Sequence, residues 1–208
     1  MTDEGRDAAA AAEEKAAQAM AAASRDVAAT VEEKTISSDM IYKGAILNLR
    51  RDRVTIKDGG MSWREIVEHS GGVAIAAVTD EGRMVMVRQF RKAAESVMLE
   101  VPAGKTEPGE DLAAAAAREL REETGYSAQK LEHVSHFYTS IGYSTEVLHL
   151  YIATGLTPGE TDFDENEAIE IYEYTVDELI AMMGTGEVAD AKSMIAIFAV
   201  KARGLDAV

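Results

Sequence analysis

Residues 104–126 read GKTEPGEDLAAAAARELREETGY, and the charge pattern at the end of this stretch governs how the rest of the chain is read. Five consecutive alanines, Ala113 to Ala117, predict a helix, because alanine loses no side-chain entropy in one. Pro108-Gly109 puts the helix start near Glu110, and Gly125 supplies the left-handed cap that commonly ends a helix. Glu119, Glu122 and Glu123 then crowd the last turn. That end of a helix is already negative, and carboxylates three and four residues apart repel one another.

On a helical wheel at about 100° per residue, with Leu112 at 0°, Ala116 falls near 40°, Leu120 near 80°, Glu123 near 20° and Glu119 near 340°. Glu119 and Glu123 therefore continue the stripe that Leu112, Ala116 and Leu120 turn toward a core. Glu122 lies about 60° beyond Glu119, at the edge of that stripe. Partly buried carboxylates of like sign need raised pKa values, partners or cations. Arg118 can reach Glu122 at i+4, while Arg121 points elsewhere. An oxygen-rich cluster without His or Cys suits Mg²⁺, with Mn²⁺ as an alternative. Salt bridges from strand arginines would satisfy the same three glutamates, so on these residues alone both readings stand.

Strand patterns surround the helix. Upstream, MIYKGAILNL and RDRVTI read as a pair, followed by WREIVEH. GVAIAAVT and MVMVRQF flank Asp80-Glu81-Gly82-Arg83, a hairpin signal, and VMLEVPAG is a further short strand ending at Pro102. Downstream come KLEHVSHFY, EVLHLYIAT and AIEIYEYT, with the acidic loop PGETDFDENE between the last two. TVDELIAMM and AKSMIAIFAVKARG read as two helices, the second ending at Gly204. Strands and helices do not alternate regularly, which points to an α+β class with a mixed sheet and not to a doubly wound one. Residues 1–34 are rich in Ala, Glu and Lys and read as a helix or partly helical tail with few large side chains to anchor it. We expect residues 1–38 to be an extension and 39–208 to be the domain.

Composition narrows the function. A chain of 208 residues accommodates one ordinary domain plus an appendage. No stretch approaches the roughly 20 apolar residues of a membrane helix. The first residues, with Asp3 and Glu4 and no apolar run, are not expected to be a secretory signal, so a soluble cytoplasmic protein is expected. Absence of cysteine excludes disulfides, thiolate metal sites and cysteine nucleophiles. A net charge of −16 opposes non-specific nucleic-acid binding. It also means that a phosphate-bearing ligand needs metal ions or a local arginine cluster.

The spacing Gly104, five residues, Glu110, seven residues, then Arg118-Glu119-Leu120-Arg121-Glu122-Glu123-Thr124-Gly125-Tyr126 resembles the Nudix hydrolase signature at every defined position. VRQFRKA, LEVPAG and the DENE loop are similar to the ADP-ribose pyrophosphatase branch of that family. The resemblance implies a Nudix fold, an α/β/α sandwich around a mixed sheet. It also implies Mg²⁺-dependent hydrolysis of a small-molecule substrate, a nucleoside diphosphate linked to a second group. By the same resemblance the metal ligands are Glu119, Glu123, a shared Glu122 and the carbonyl of Ala103, with Arg118 orienting a glutamate. Arg91 resembles the family's phosphate-binding arginine, and Arg88 is a second candidate. Trp63 is similar to a tryptophan that stacks on adenine in some family dimers, so a homodimer is expected. Glu165, then Glu167, match the loop that carries the general base, with Glu122 as the holder if neither serves.

Ile141 departs from the branch, which often has a proline at that distance after the box. Tyr143 stands where diadenosine polyphosphate hydrolases often have a tyrosine, which makes their substrates, or another nucleotide sugar, the alternative. A catalytically silent nucleotide-binding regulator is the rival from another class, although such modules usually lose box glutamates. His133 and His136 show no metal-ligand spacing and are read as strand decoration.

Overall fold

The computed structural model describes residues 32–107, 109–163 and 168–206. The Ala-rich stretch expected to be helical lies outside the described residues up to position 31. Two units are separable, residues 1–67 and 68–208.

The first unit carries a three-stranded sheet in the order β1 (Lys34–Lys43), β2 (Asn48–Thr55), β3 (Met61–Glu68). The expected strand MIYKGAILNL is broken in two. Gly44 N–H donates to the Leu47 carbonyl at 3.0 Å, so Ile46 and Leu47 occupy an exposed turn despite their strand-like side chains. Pairing of Lys43 with Asn48 and Lys34 with Thr55 sets the register. Asp52 is buried in this sheet and is satisfied by the Ser38 hydroxyl at 2.6 Å and by Arg50 at 3.5 Å.

The second unit is built on a seven-stranded sheet. Its path runs β10 (Glu170–Thr175), β5 (Arg83–Arg91), β4 (Gly72–Val78), β9 (Val147–Thr157), β8 (Ser127–Tyr138). β6 (Ser96–Glu100) pairs with β5, and β7 (Ala103–Lys105) pairs with β4. β4 and β9 run parallel, while the other recorded pairings are antiparallel, so the sheet is mixed as expected. The expected single strand VMLEVPAG is really β6 and β7. Pro102 has no N–H for a ladder, and the chain changes partner there. The Pro102 carbonyl instead accepts from Ile75 N–H at 2.8 Å.

Every residue of β4 is buried, because both sheet faces are covered. The period of two divides its side chains. Val73, Ile75 and Ala77 pack with Ala115, Ala116 and Leu120 of helix α1 (Leu112–Thr124). Ala74, Ala76 and Val78 face the opposite layer, where Val176 and Leu179 of α2 (Val176–Thr185) and Ala196, Ile197 and Val200 of α3 (Ala191–Ala202) pack. This is the α/β/α sandwich. Helix α3 stops at Ala202, two residues short of the expected Gly204.

Candidate active site

Helix α1 begins at Leu112 and not at Glu110, because Asp111 caps it, accepting from Ala113 N–H at 3.0 Å and Ala114 N–H at 3.1 Å. Glu110 is thereby left in the preceding loop. Gly125 ends the helix at φ 73°, in the left-handed region, and donates to the Arg121 carbonyl at 2.8 Å. These two ends fix which face of α1 meets the sheet. Ala115, Ala116, Leu120, Glu123 and Thr124 are buried, with Glu119 and Glu122 partly so. The predicted stripe is correct.

Arg118 is the centre of the arrangement. Its Nε donates to Glu110 at 3.0 Å, one Nη to Glu119 at 2.8 Å and to Glu122 at 3.0 Å, and the other Nη to Glu110 at 3.1 Å and the Lys105 carbonyl at 3.1 Å. All five donors of one guanidinium are engaged. Hydrogen bonding by Glu110, ahead of Glu119 and Glu122, raises the Arg118 pKa, and Arg118 holds the Glu110 carboxyl below its ordinary value. Three carboxylates share this cation, and Arg121, expected to point elsewhere, lies 3.9 Å from Glu122; with buried Glu123 beside them the carboxylates still outnumber the cations.

Glu123 is 5% exposed, and its Oε2 accepts from the Ala103 N–H at 3.0 Å, which ties the helix end to β7. Gly104, the next residue, lies under Glu119: a Cβ built there overlaps the Glu119 carboxyl carbon and both of its oxygens. The box needs glycine at this position because a carboxylate rests on its backbone. Ala103, Glu119, Glu122 and Glu123 are thus brought to one place. The set is all hard oxygen donors with excess negative charge, which fits Mg²⁺ or Mn²⁺. Among the described residues no three His, Cys, Asp or Glu side chains form a cage for an ion on their own.

The loop before β10 meets the same helix end. Asp162 N–H donates to the Glu122 carbonyl at 3.0 Å, and the Gly159 carbonyl lies 2.7 Å from where a Gly125 Cβ would stand. Glu165 and Glu167 lie outside the described residues.

Comparison with known proteins agrees with this geometry. The NUDIX domain model matches residues 68–196. The chain belongs to the NUDIX family. It is 44% identical to an ADP-ribose pyrophosphatase of Bacillus subtilis over 170 residues, covering 81% of this chain and 92% of that protein. It is 43% identical to a methanol dehydrogenase activator of Bacillus methanolicus, covering 80% and 91%. An ADP-ribose pyrophosphatase of Mycobacterium tuberculosis is 38% identical, covering 81% and 83%. The crystal structure of an ADP compounds hydrolase superposes with a TM-score of 0.74 at 20% identity, covering 83% of this chain and 94% of that one, and shares the fold.

The remaining candidates of this NUDIX chain lie on other elements. Arg91 forms a two-pronged pair with Glu100, Nε to Oε1 at 2.7 Å and Nη2 to Oε2 at 2.8 Å, and feels the charge of Glu123. Arg88 lies over the Tyr172 ring at 4.9 Å, on the neighbouring strand. Tyr143 is exposed in the β8–β9 turn, where its N–H donates to the Ser140 carbonyl. Trp63 belongs to the first unit and is half exposed, with Arg51 over its ring at 4.8 Å. His133 and His136 do sit on β8, and His133 Nε2 lies 3.2 Å from His149 Nδ1. Sequence reasoning missed Glu100. The one signal was an acid inside the apolar run VMLEV.

Proposed function

We propose that this chain hydrolyses the pyrophosphate bond of a nucleoside diphosphate linked to a second group, with Mg²⁺, and that ADP-ribose, cleaved to AMP and ribose 5-phosphate, is its substrate. Membership of the NUDIX family and the ADP-ribose pyrophosphatases among its relatives support pyrophosphohydrolase activity. The observation that carries the reading is the cluster around Arg118, where three carboxylates share one guanidinium over Gly104.

Mg²⁺ held by Glu119, Glu123, Glu122 and the Ala103 carbonyl would neutralise the pyrophosphate and polarise the attacked phosphorus. The chain's own residues do the rest. Arg118 keeps Glu119 and Glu122 in place, so that their orientation is set before substrate arrives. Arg91 binds a phosphate oxygen and Arg88 is a secondary contact. Glu165 is the proton acceptor for the attacking water, with Glu167 next in order. Attachment of Asp162 to Glu122 supports this, since it ties the acidic loop to the glutamate end of α1. Trp63 stacks on the adenine.

A homodimer fits the first unit. Strand β1 is exposed along its whole length and carries Ile36, Met40, Ile41 and Tyr42, a row that a soluble protein normally covers. No helix among the described residues is long and apolar enough to cross a membrane, and we place the protein in the cytoplasm.

The test is a hydrolysis panel of nucleotide sugars and dinucleotides with Mg²⁺ or EDTA, with products identified. ADP-ribose is expected to turn over fastest, and EDTA to abolish activity. Faster turnover of diadenosine polyphosphates moves the assignment to that class, where the exposed Tyr143 would find its role. No hydrolysis at all favours a nucleotide-binding regulator.

A further inference from the structure

Behind Arg91 stands a charged chain that crosses from the sheet to the N-terminus of α3. Glu100, at the end of β6, has a side chain 4% exposed, yet it carries two cations: Arg91 on one side and Lys192 on the other. Lys192 is itself 11% exposed and also reaches Asp190 at 3.0 Å. Asp190 caps α3, accepting from Ser193 N–H at 3.0 Å and from the Ser193 hydroxyl at 2.6 Å. The Ser193 hydroxyl oxygen accepts from Val101 N–H at 2.8 Å, the residue after Glu100. Helix α3 is therefore fastened to the strand that leads into Ala103 and Gly104.

The charges along this chain alternate, and that order matters for Arg91. A buried carboxylate paired with a single guanidinium cancels its charge and draws it inward. Here burial alone would raise the Glu100 carboxyl, but the hydrogen bonds from Arg91, then Lys192, hold it below its ordinary value. Glu100 is thus divided between two cations, and less of its charge is spent on Arg91. Glu100 occupies the Nε and Nη2 edge of Arg91, and among the described residues Nη1 makes no further hydrogen bond. The Arg91 side chain is 43% exposed.

We propose that Lys192, acting through buried Glu100, is a positioning residue that holds the Arg91 guanidinium oriented toward the substrate's pyrophosphate. The proposal rests on the reading of Arg91 as a phosphate contact. It gives α3 a part in substrate binding. Lys192 lies 92 residues from Glu100 in the chain.

A double-mutant cycle on the full chain tests it, using whichever nucleoside diphosphate derivative turns over fastest. Lys192→Met is expected to lower kcat/KM about tenfold, chiefly by raising KM, because a displaced binding group weakens capture of substrate. Lys192→Arg should restore most of the loss, since a guanidinium can serve both Glu100 and Asp190. In an Arg91→Ala background Lys192→Met should change kcat/KM by less than about twofold. A tenfold loss that persists without Arg91 overturns the proposal, and so does a folded Lys192→Arg protein that recovers nothing. Arg91→Ala with an unchanged KM instead overturns the phosphate-contact reading itself, whatever Lys192 does. Thermal melts accompany each variant. If Lys192→Met does not fold, Lys192→Gln, which keeps an N–H donor for Glu100, takes its place in the same cycle with the same criteria.

Discussion

The carboxylate of Glu119 rests on the α-carbon of Gly104, in the space where any side chain would begin. The contact joins β7 to helix α1 at the centre of the box, and Arg118 links this pair through Glu119 to the Lys105 carbonyl and to Glu110. A missing atom in Gly104 sets where a charge 15 positions later can lie.

Gly104→Ala should therefore be inactive but folded. The clashing group is the end of a flexible side chain, so Glu119 can swing away at small cost while losing its place. A drop in kcat of about 10²-fold with a melting temperature close to wild type is expected. A large loss of stability would mean that the close approach serves packing.

Glu123→Gln separates charge from shape. The amide oxygen can still accept from Ala103 N–H, while a negative charge leaves the negative end of α1. In EDTA the variant should melt at or above the wild-type temperature, yet kcat should fall about 10²-fold or more. The rise in melting temperature on adding Mg²⁺, a mass-action effect of binding to the folded state, should shrink as well. Collapse of the metal-free variant would recast the glutamates as structural partners.

Removing the helix cap should do the reverse. Asp111→Ala loses the acceptor for Ala113 and Ala114 N–H, which costs about 1 kcal/mol. Denaturant titration should show that loss with kcat almost unchanged, since Asp111 caps the end of α1 opposite to Glu119, Glu122 and Glu123. A comparable fall in activity would imply that the helix start sets the geometry of its end.

Acid should weaken the second unit through His149. Burial, then the neighbouring His133 and His136, hold its imidazole pKa below the ordinary histidine value; Asp111 and Tyr151 are the other titratable groups nearby. The unfolded chain then takes up a proton that the folded chain resists. The contribution is complete above the unfolded pKa and is lost as pH falls through the folded one. Stability should decline as pH falls below the ordinary histidine value of about 6.5, and His149→Gln should flatten part of that decline. Parallel pH profiles in the two proteins would exclude His149 as a cause.

The general base should be visible in kcat. Glu165→Gln is expected to lower it by about 10²–10⁴-fold while KM changes little. A loss below about tenfold, alongside a large one for Glu167→Gln, would transfer the role by two residues. Small effects from both would place the base in the box, at Glu122.

What the sequence determined by itself was everything carried by short separations. Helix α1, its glycine cap, the glutamate stripe and the Arg118–Glu122 pair follow from a period of 3.6 and an i+4 reach, which act whatever surrounds them. The unbroken apolar run of β4 likewise marked a strand, though its two buried faces were assigned by the helices packed on them. Tertiary structure decided the contacts between distant segments. Hydrophobic side chains at Ile46 and Leu47 look like strand, but pairing with β2 makes them a turn. Pro102 ends one pairing, as proline predicts, but that Ala103 to Lys105 then pair with β4 is decided by the tertiary structure. Nothing in the local sequence links Arg91 to Lys192; that link exists only once folding buries Glu100 between them. A buried carboxylate must find cations wherever the fold brings them, and that choice is made by the packing of α3 on the sheet rather than by spacing along the chain.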